Sequence, residues 1–143
     1  MITRRSSAVW EGDLKGGKGS MALGSGAFQG AYSFGTRFGD EPGTNPDELI
    51  AAAHAGCFSM ALSGALAEAG YTPKRISTEA AVRLEKTDGG FVITRIDLTT
   101  VAVVPGIDEE TFEKHAEAAK DGCPVSKALS AVDMTLEAEL RNA

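Results

Sequence analysis

Hydrophobic positions along the chain alternate in two periods, and the change of period marks the elements. Thr3 to Gly12 is extended in character, with Val9 and Trp10 as β-formers, and Lys15-Gly16-Gly17-Lys18-Gly19 is a turn of the kind that closes a hairpin. Ser20–Leu23 and Ala31–Phe34 are predicted as further short strands, followed by a glycine-punctuated loop from Gly35 to Thr44 that contains Arg37. The next element is a long helix. Asn45 is its N-cap, Pro46 takes the first helical position, and Asp47 and Glu48 place negative charge against the positive end of the dipole. It is predicted to run to Ala69, with Gly70 as the residue that ends it. Ile76–Leu84 and Phe91–Val104 alternate as two strands joined at Asp88-Gly89-Gly90, and Pro105-Gly106 stops the second. Asp108 caps an amphipathic helix from Glu109 to about Lys120, Cys123-Pro124 opens a short helix to about Ser130, and Val132–Leu140 is the closing strand.

Strands grouped in hairpins predict an α+β fold with antiparallel sheets, not a doubly wound one. The long helix is uncharged from Leu49 to Ala67 and apolar on nearly every side. Such a helix needs cover from more than one direction, so a homodimer is expected in which a partner's sheet completes the burial. The same stretch is long enough to span a membrane. Its richness in Ala, Gly and Ser, the presence of His54 and the acidic flanks Glu48 and Glu68 argue instead for a helix buried in protein.

Composition narrows the class further. The 143 residues fit a single domain, 1–143, and 43% hydrophobic with 24% charged residues is an ordinary globular balance that argues against disorder. A net charge of −6 argues against a nucleic-acid partner, which needs a concentrated basic surface. Two cysteines are too few for a secreted disulfide scaffold, and Met1–Trp10 has no apolar run behind its arginines. The expectation is a soluble, cytoplasmic protein without a membrane partner.

The two cysteines carry the candidate chemistry. Cys57 lies on the stripe Leu49/Ile50, Ala53/His54, Cys57, Met60/Ala61, Gly64, where a cysteine often serves as a small buried hydrophobe. Cys123 precedes Pro124 at an N-cap, where backbone N–H groups favour a thiolate and where Ser, Thr, Asp and Asn are the usual residues. A reactive Cys57 has an electrostatic difficulty. It stands about 17 Å along the helix axis from Pro46, beyond the reach of the dipole. A cation must come from elsewhere, and Arg37 is the best candidate, from this chain or a partner. Asp47 or Glu48 would then hold the guanidinium. His54 and Cys57, three apart on one face, also fit a Cys–His nucleophile pair for acyl transfer. A zinc site of His54, Cys57, His115 and Cys123 lacks the usual CxxC spacing. Gly16-Gly17-Lys18-Gly19 lacks the helix and Ser/Thr of a phosphate loop, and Met21 and Met60 are expected as core filler.

The stretch Gly43-Thr44-Asn45-Pro46-Asp47-Glu48-Leu49-Ile50-Ala51-Ala52-Ala53-His54-Ala55-Gly56-Cys57-Phe58-Ser59-Met60-Ala61-Leu62 resembles the first signature of the OsmC/Ohr family of osmotically inducible and organic-hydroperoxide-resistance proteins. Gly122-Cys123-Pro124-Val125-Ser126 resembles its second signature, and Thr36-Arg37-Phe38, Trp10-Glu11-Gly12 and Val104-Pro105-Gly106-Ile107-Asp108 resemble the OsmC branch. The resemblance implies an intertwined homodimer, with curved sheets around central helices and active sites at the subunit interface. It implies a thiol-dependent peroxidase of stress defence that reduces organic hydroperoxides, and hydrogen peroxide more weakly. Cys57 matches the peroxidatic cysteine, Cys123 the resolving cysteine and Arg37 the activating arginine. The arginine-orienting glutamate matches Asp47, one methylene shorter, with Glu48 beside it. The resemblance implies no metal or prosthetic group, and an external dithiol of lipoyl type as the electron donor. The competing class is a non-catalytic stress protein that binds an apolar ligand, its cysteines mere packing.

Overall fold

A computed structural model describes residues 1–142. The chain divides into two units, Met1–Leu49 and the residues from Ile50 onward. In the first, β1 (Ser6–Glu11), β2 (Lys18–Leu23) and β3 (Gln29–Tyr32) form an antiparallel meander. Gly19 sits where a Cβ would come within 2.7 Å of the Trp10 and Tyr32 rings, so only glycine lets those rings close over the sheet. Among the described residues of this unit no apolar side chain is fully buried.

The expected strand Ala31–Phe34 and loop Gly35–Thr44 need correction. The third strand ends at Tyr32, and Arg37 lies on a short helix, α1 (Phe34–Phe38). Ser33 causes the switch. Its hydroxyl accepts the Thr36 N–H at 3.2 Å while its own N–H donates to Thr36 Oγ1 at 2.9 Å, a reciprocal cap that starts a helix at once.

Helix α2 (Pro46–Glu68) begins as its sequence predicts, with Asn45 Oδ1 accepting the Glu48 N–H at 2.7 Å. It ends before Gly70, whose φ of +92° only glycine adopts without strain. In the second unit α2 is followed by β4 (Arg75–Thr87) and β5 (Gly90–Val103), an antiparallel pair with a register shift at Arg83/Leu84. Helices α3 (Glu109–Gly122) and α4 (Pro124–Ala128) come next, then β6 (Asp133–Arg141). Asp108 caps α3 through the Thr111 N–H, as expected.

The expectation of wholly antiparallel sheets does not extend to β6, which pairs with β5 in parallel. The connection through α3 and α4 carries the chain back to the starting end of β5, which a tight turn cannot do. Ile96, Leu98 and Ala102 of β5 turn one face into the core, where they meet Phe58, Leu62 and Leu66 of α2 and Phe112, Ala116 and Ala119 of α3. The buried line of α2 thus steps by four residues through His54, Phe58, Leu62 and Leu66. Met60, expected in the core, is 78% exposed because it points from the opposite side of the helix.

Candidate active site

Two clusters carry the chemistry, one in each unit. In the first, Arg37 forms a paired contact with Asp47. Its Nε–H donates to Oδ2 at 3.0 Å and an Nη2–H to Oδ1 at 3.2 Å, a fork that fixes the guanidinium plane. Asp47 is nearly buried while Arg37 stays one-third exposed, so one side of the cation remains open. Glu48 does not share this role, since its carboxylate accepts the Thr44 hydroxyl at 2.8 Å instead. Helical geometry explains the division, because adjacent residues on a helix point about 100° apart. Arg37 also borders an apolar cavity of about 300 Å³ walled by Trp10, Leu14, Tyr32, Phe34 and Phe38.

In the second unit the sequence-distant cysteines meet. Both are free, Cys57 partly accessible and Cys123 fully buried. The Cys57 sulfur lies within reach of Cys123 and of the Val125 backbone N–H, both of which act on its acidity. Burial pushes the Cys57 thiol above its ordinary value and the Cys123 contact adds to that, with the Val125 N–H opposing. Cys123 caps α4 as its sequence suggests, its sulfur accepting the Ser126 N–H at 3.3 Å.

His54 is not paired with Cys57, as an acyl-transfer arrangement would need. Its Nε2 lies 2.7 Å from Ser126 Oγ, because the buried line of α2 aims it at α4. His115 is held to its own helix, Nδ1 lying 2.8 Å from the Thr111 carbonyl oxygen. Among the described residues no three His, Cys, Asp or Glu side chains gather as a metal site. Sequence reasoning missed Val125 and Ser126 as partners of the sulfurs. For Ser126 the signal was present, since the third residue after an N-cap is one whose N–H the cap receives, whereas Val125 meets Cys57 only through tertiary packing.

An apposed, disulfide-free cysteine pair on an α+β scaffold of this topology defines a class of thiol proteins, and comparison with known sequences gives the class its family. The family described as OsmC-like protein matches residues 39–137, and the chain belongs to it. It is 53% identical over 142 residues to Peroxiredoxin OsmC of Escherichia coli (strain K12), covering 99% of each chain. It is also 34% identical over 99 residues to the Organic hydroperoxide resistance protein OhrB of Bacillus subtilis (strain 168), covering 68% of this chain and 71% of that one. The crystal structure of OhrB of Bacillus subtilis superposes with a TM-score of 0.71 at 28% identity over 98% of both chains. A Vibrio cholerae OsmC-like protein of unknown function shares the fold at a TM-score of 0.76 and 16% identity, covering 96% of this chain and 99% of that one.

Proposed function

We propose that this chain is a thiol-dependent peroxidase that reduces organic hydroperoxides, and hydrogen peroxide more weakly, in oxidative or osmotic stress defence. The observation that carries this reading is the contact between the two free thiols of Cys57 and Cys123. The Cys57 thiolate attacks the terminal peroxide oxygen, the O–O bond breaks, an alcohol leaves after taking a proton, and Cys57 becomes a sulfenic acid. Cys123 then attacks that sulfur, forming a disulfide and releasing water. An external dithiol, of lipoyl type, reopens the bridge by exchange. Both electrons for the peroxide come from sulfur, so the cycle uses no prosthetic group.

The surroundings of Cys57 favour the protonated thiol, so activation calls for a nearby positive charge. Arg37, held in a fixed plane by Asp47, is our candidate for that charge. The apolar wall beside Arg37 suits an alkyl chain, whose burial contributes about 0.8 kcal/mol per methylene and so favours organic over hydrogen peroxide. A homodimer fits the bare faces of each unit: the first sheet leaves its apolar side chains at least partly open, and only 22% of the most apolar stretch of α2 is buried. A cytoplasmic setting suits a pair of cysteines that must return to the reduced state.

Hydroperoxide consumption with a dithiol donor tests the reading on single variants. Cys57→Ser is expected to abolish turnover, and Cys123→Ser to retain one sulfenic acid per site with recycling blocked. Consumption by Cys57→Ser at the wild-type rate would refute the Cys57-based peroxidase, whereas two thiols that stay unreactive toward hydroperoxide in the wild type would favour the ligand-binding alternative.

A further inference from the structure

The cysteine contact leaves one group of the second unit unexplained. His54 is fully buried in an otherwise apolar line of α2, and its Nδ1 has no hydrogen-bond partner. A leucine or methionine there would fill the space without orphaning a polar nitrogen, so packing alone gives no reason for an imidazole. Its other nitrogen reaches the sulfur chemistry through one hydroxyl. Nε2 lies 2.7 Å from Ser126 Oγ, and the Cys123 S–H donates to that same oxygen at 3.1 Å. The Ser126 N–H donates to the Cys123 sulfur at 3.3 Å.

We propose that Ser126 and His54 form a proton relay serving Cys123 during disulfide formation, with Ser126 as the group in contact with the reacting sulfur and His54 as the residue that positions and polarises it. This inference rests on the peroxidatic and resolving roles given above to Cys57 and Cys123. In the resting thiol, Cys123 S–H donates to Ser126 Oγ, whose O–H donates to His54 Nε2. As Cys123 attacks, its proton passes to Oγ and the serine proton passes to Nε2. The sulfur is left with two donors, the Ser126 O–H and N–H, a setting matched to a thiolate. The Sγ–Sγ bond forms and the S–O bond of the Cys57 sulfenic acid breaks. The departing hydroxide takes up a proton and leaves as water, and His54 gives up the one it holds. The Cys123 sulfur is oxidised and the Cys57 sulfur reduced, with no outside electron. Burial lowers the His54 pKa, so the imidazole rests neutral and free to accept.

Other ionisable groups stand near this relay. Cys57 touches Cys123, and Lys120, Asp121, Lys127 and Asp133 line a cavity of about 440 Å³ that Ser126 borders, giving the proton a wet route out.

Rapid-mixing kinetics with one equivalent of an organic hydroperoxide test the relay by timing two steps separately. Cys57 oxidation is read by sulfenic-acid trapping, and disulfide formation by loss of the trappable species in the full-length protein between pH 6 and 9. Ser126→Ala and His54→Gln are expected to leave Cys57 oxidation within about twofold while slowing disulfide formation about 100-fold at pH 7, the scale of one general base. The deficit should shrink as pH rises and hydroxide in solution takes over removal of the proton, and Ser126→Thr should retain the wild-type profile. A merely structural role predicts a deficit equal at every pH, and that result, or wild-type disulfide rates in both variants, overturns the relay. The wild-type protein gives a check free of folding effects: solvent deuterium should slow disulfide formation, and an unchanged rate contradicts the relay. Should wild type itself form no Cys57–Cys123 disulfide, the peroxidase reading fails first and the relay with it.

Discussion

Arg37 and Asp47 form a pair whose worth lies in direction more than in stability. With one-third of its surface exposed, the guanidinium keeps much of its hydration, and exposed ion pairs add at most about 1 kcal/mol to folding. A planar fork held at two points, however, places positive charge far better than a free arginine does. Asp47→Asn keeps the shape of the side chain but weakens that grip. Loss of a charge-assisted bond is worth roughly 1.5–3 kcal/mol, so kcat/KM for hydroperoxide should fall about 10- to 100-fold with little change in melting temperature. Asp47→Glu, with the carboxylate kept, should recover most of the rate. Unchanged kinetics in Asp47→Asn would remove Arg37 orientation from the mechanism. The choice between Asp47 and Glu48 was open in the sequence because both sit in the first turn. Only the side-chain directions decide it, through the separate claim of Thr44 on Glu48.

Helix α2 is the element on which these residues depend, and its two faces have different tasks. One face buries His54, Phe58, Leu62 and Leu66 against its own sheet. The other presents Ala53, Gly56, Met60, Gly64 and Ala67 to solvent, apolar and mostly small. Small residues at helical spacing allow close approach by another backbone, so this is the face on which the proposed homodimer would meet. Met60→Asp tests it. At 78% exposure the change costs the single chain little, yet a charge within a dimer interface lacks a partner. Light scattering should report a monomer for the variant and a dimer for wild type; a dimer of unchanged stability in both would exclude this face. The ends of α2 were legible in the sequence, because Asn45, Pro46 and Gly70 act through local geometry. Which face is buried was not. In a helix apolar on almost every side periodicity loses its contrast, and Met60 was assigned inward for want of a polar stripe.

Across the whole molecule, the sequence yielded its hairpin β4–β5, its caps and its α+β class, all set by neighbours a few residues apart. The parallel pairing of β6 with β5 was hidden, since register between strands separated by two helices depends on how α3 packs against the sheet. The meeting of Cys57 with Cys123 was inferred from chemistry and resemblance; it arises because the α3–α4 connection brings Cys123 beneath the middle of α2. That meeting is the central claim, and counting thiols under anaerobic conditions tests it most directly. The reduced protein should titrate two thiols per chain, and one equivalent of an organic hydroperoxide should remove both, with mass spectrometry of the unreduced digest joining the Cys57 and Cys123 peptides. Two thiols persisting after peroxide, or a bridge joining Cys57 to anything other than Cys123, would contradict the account.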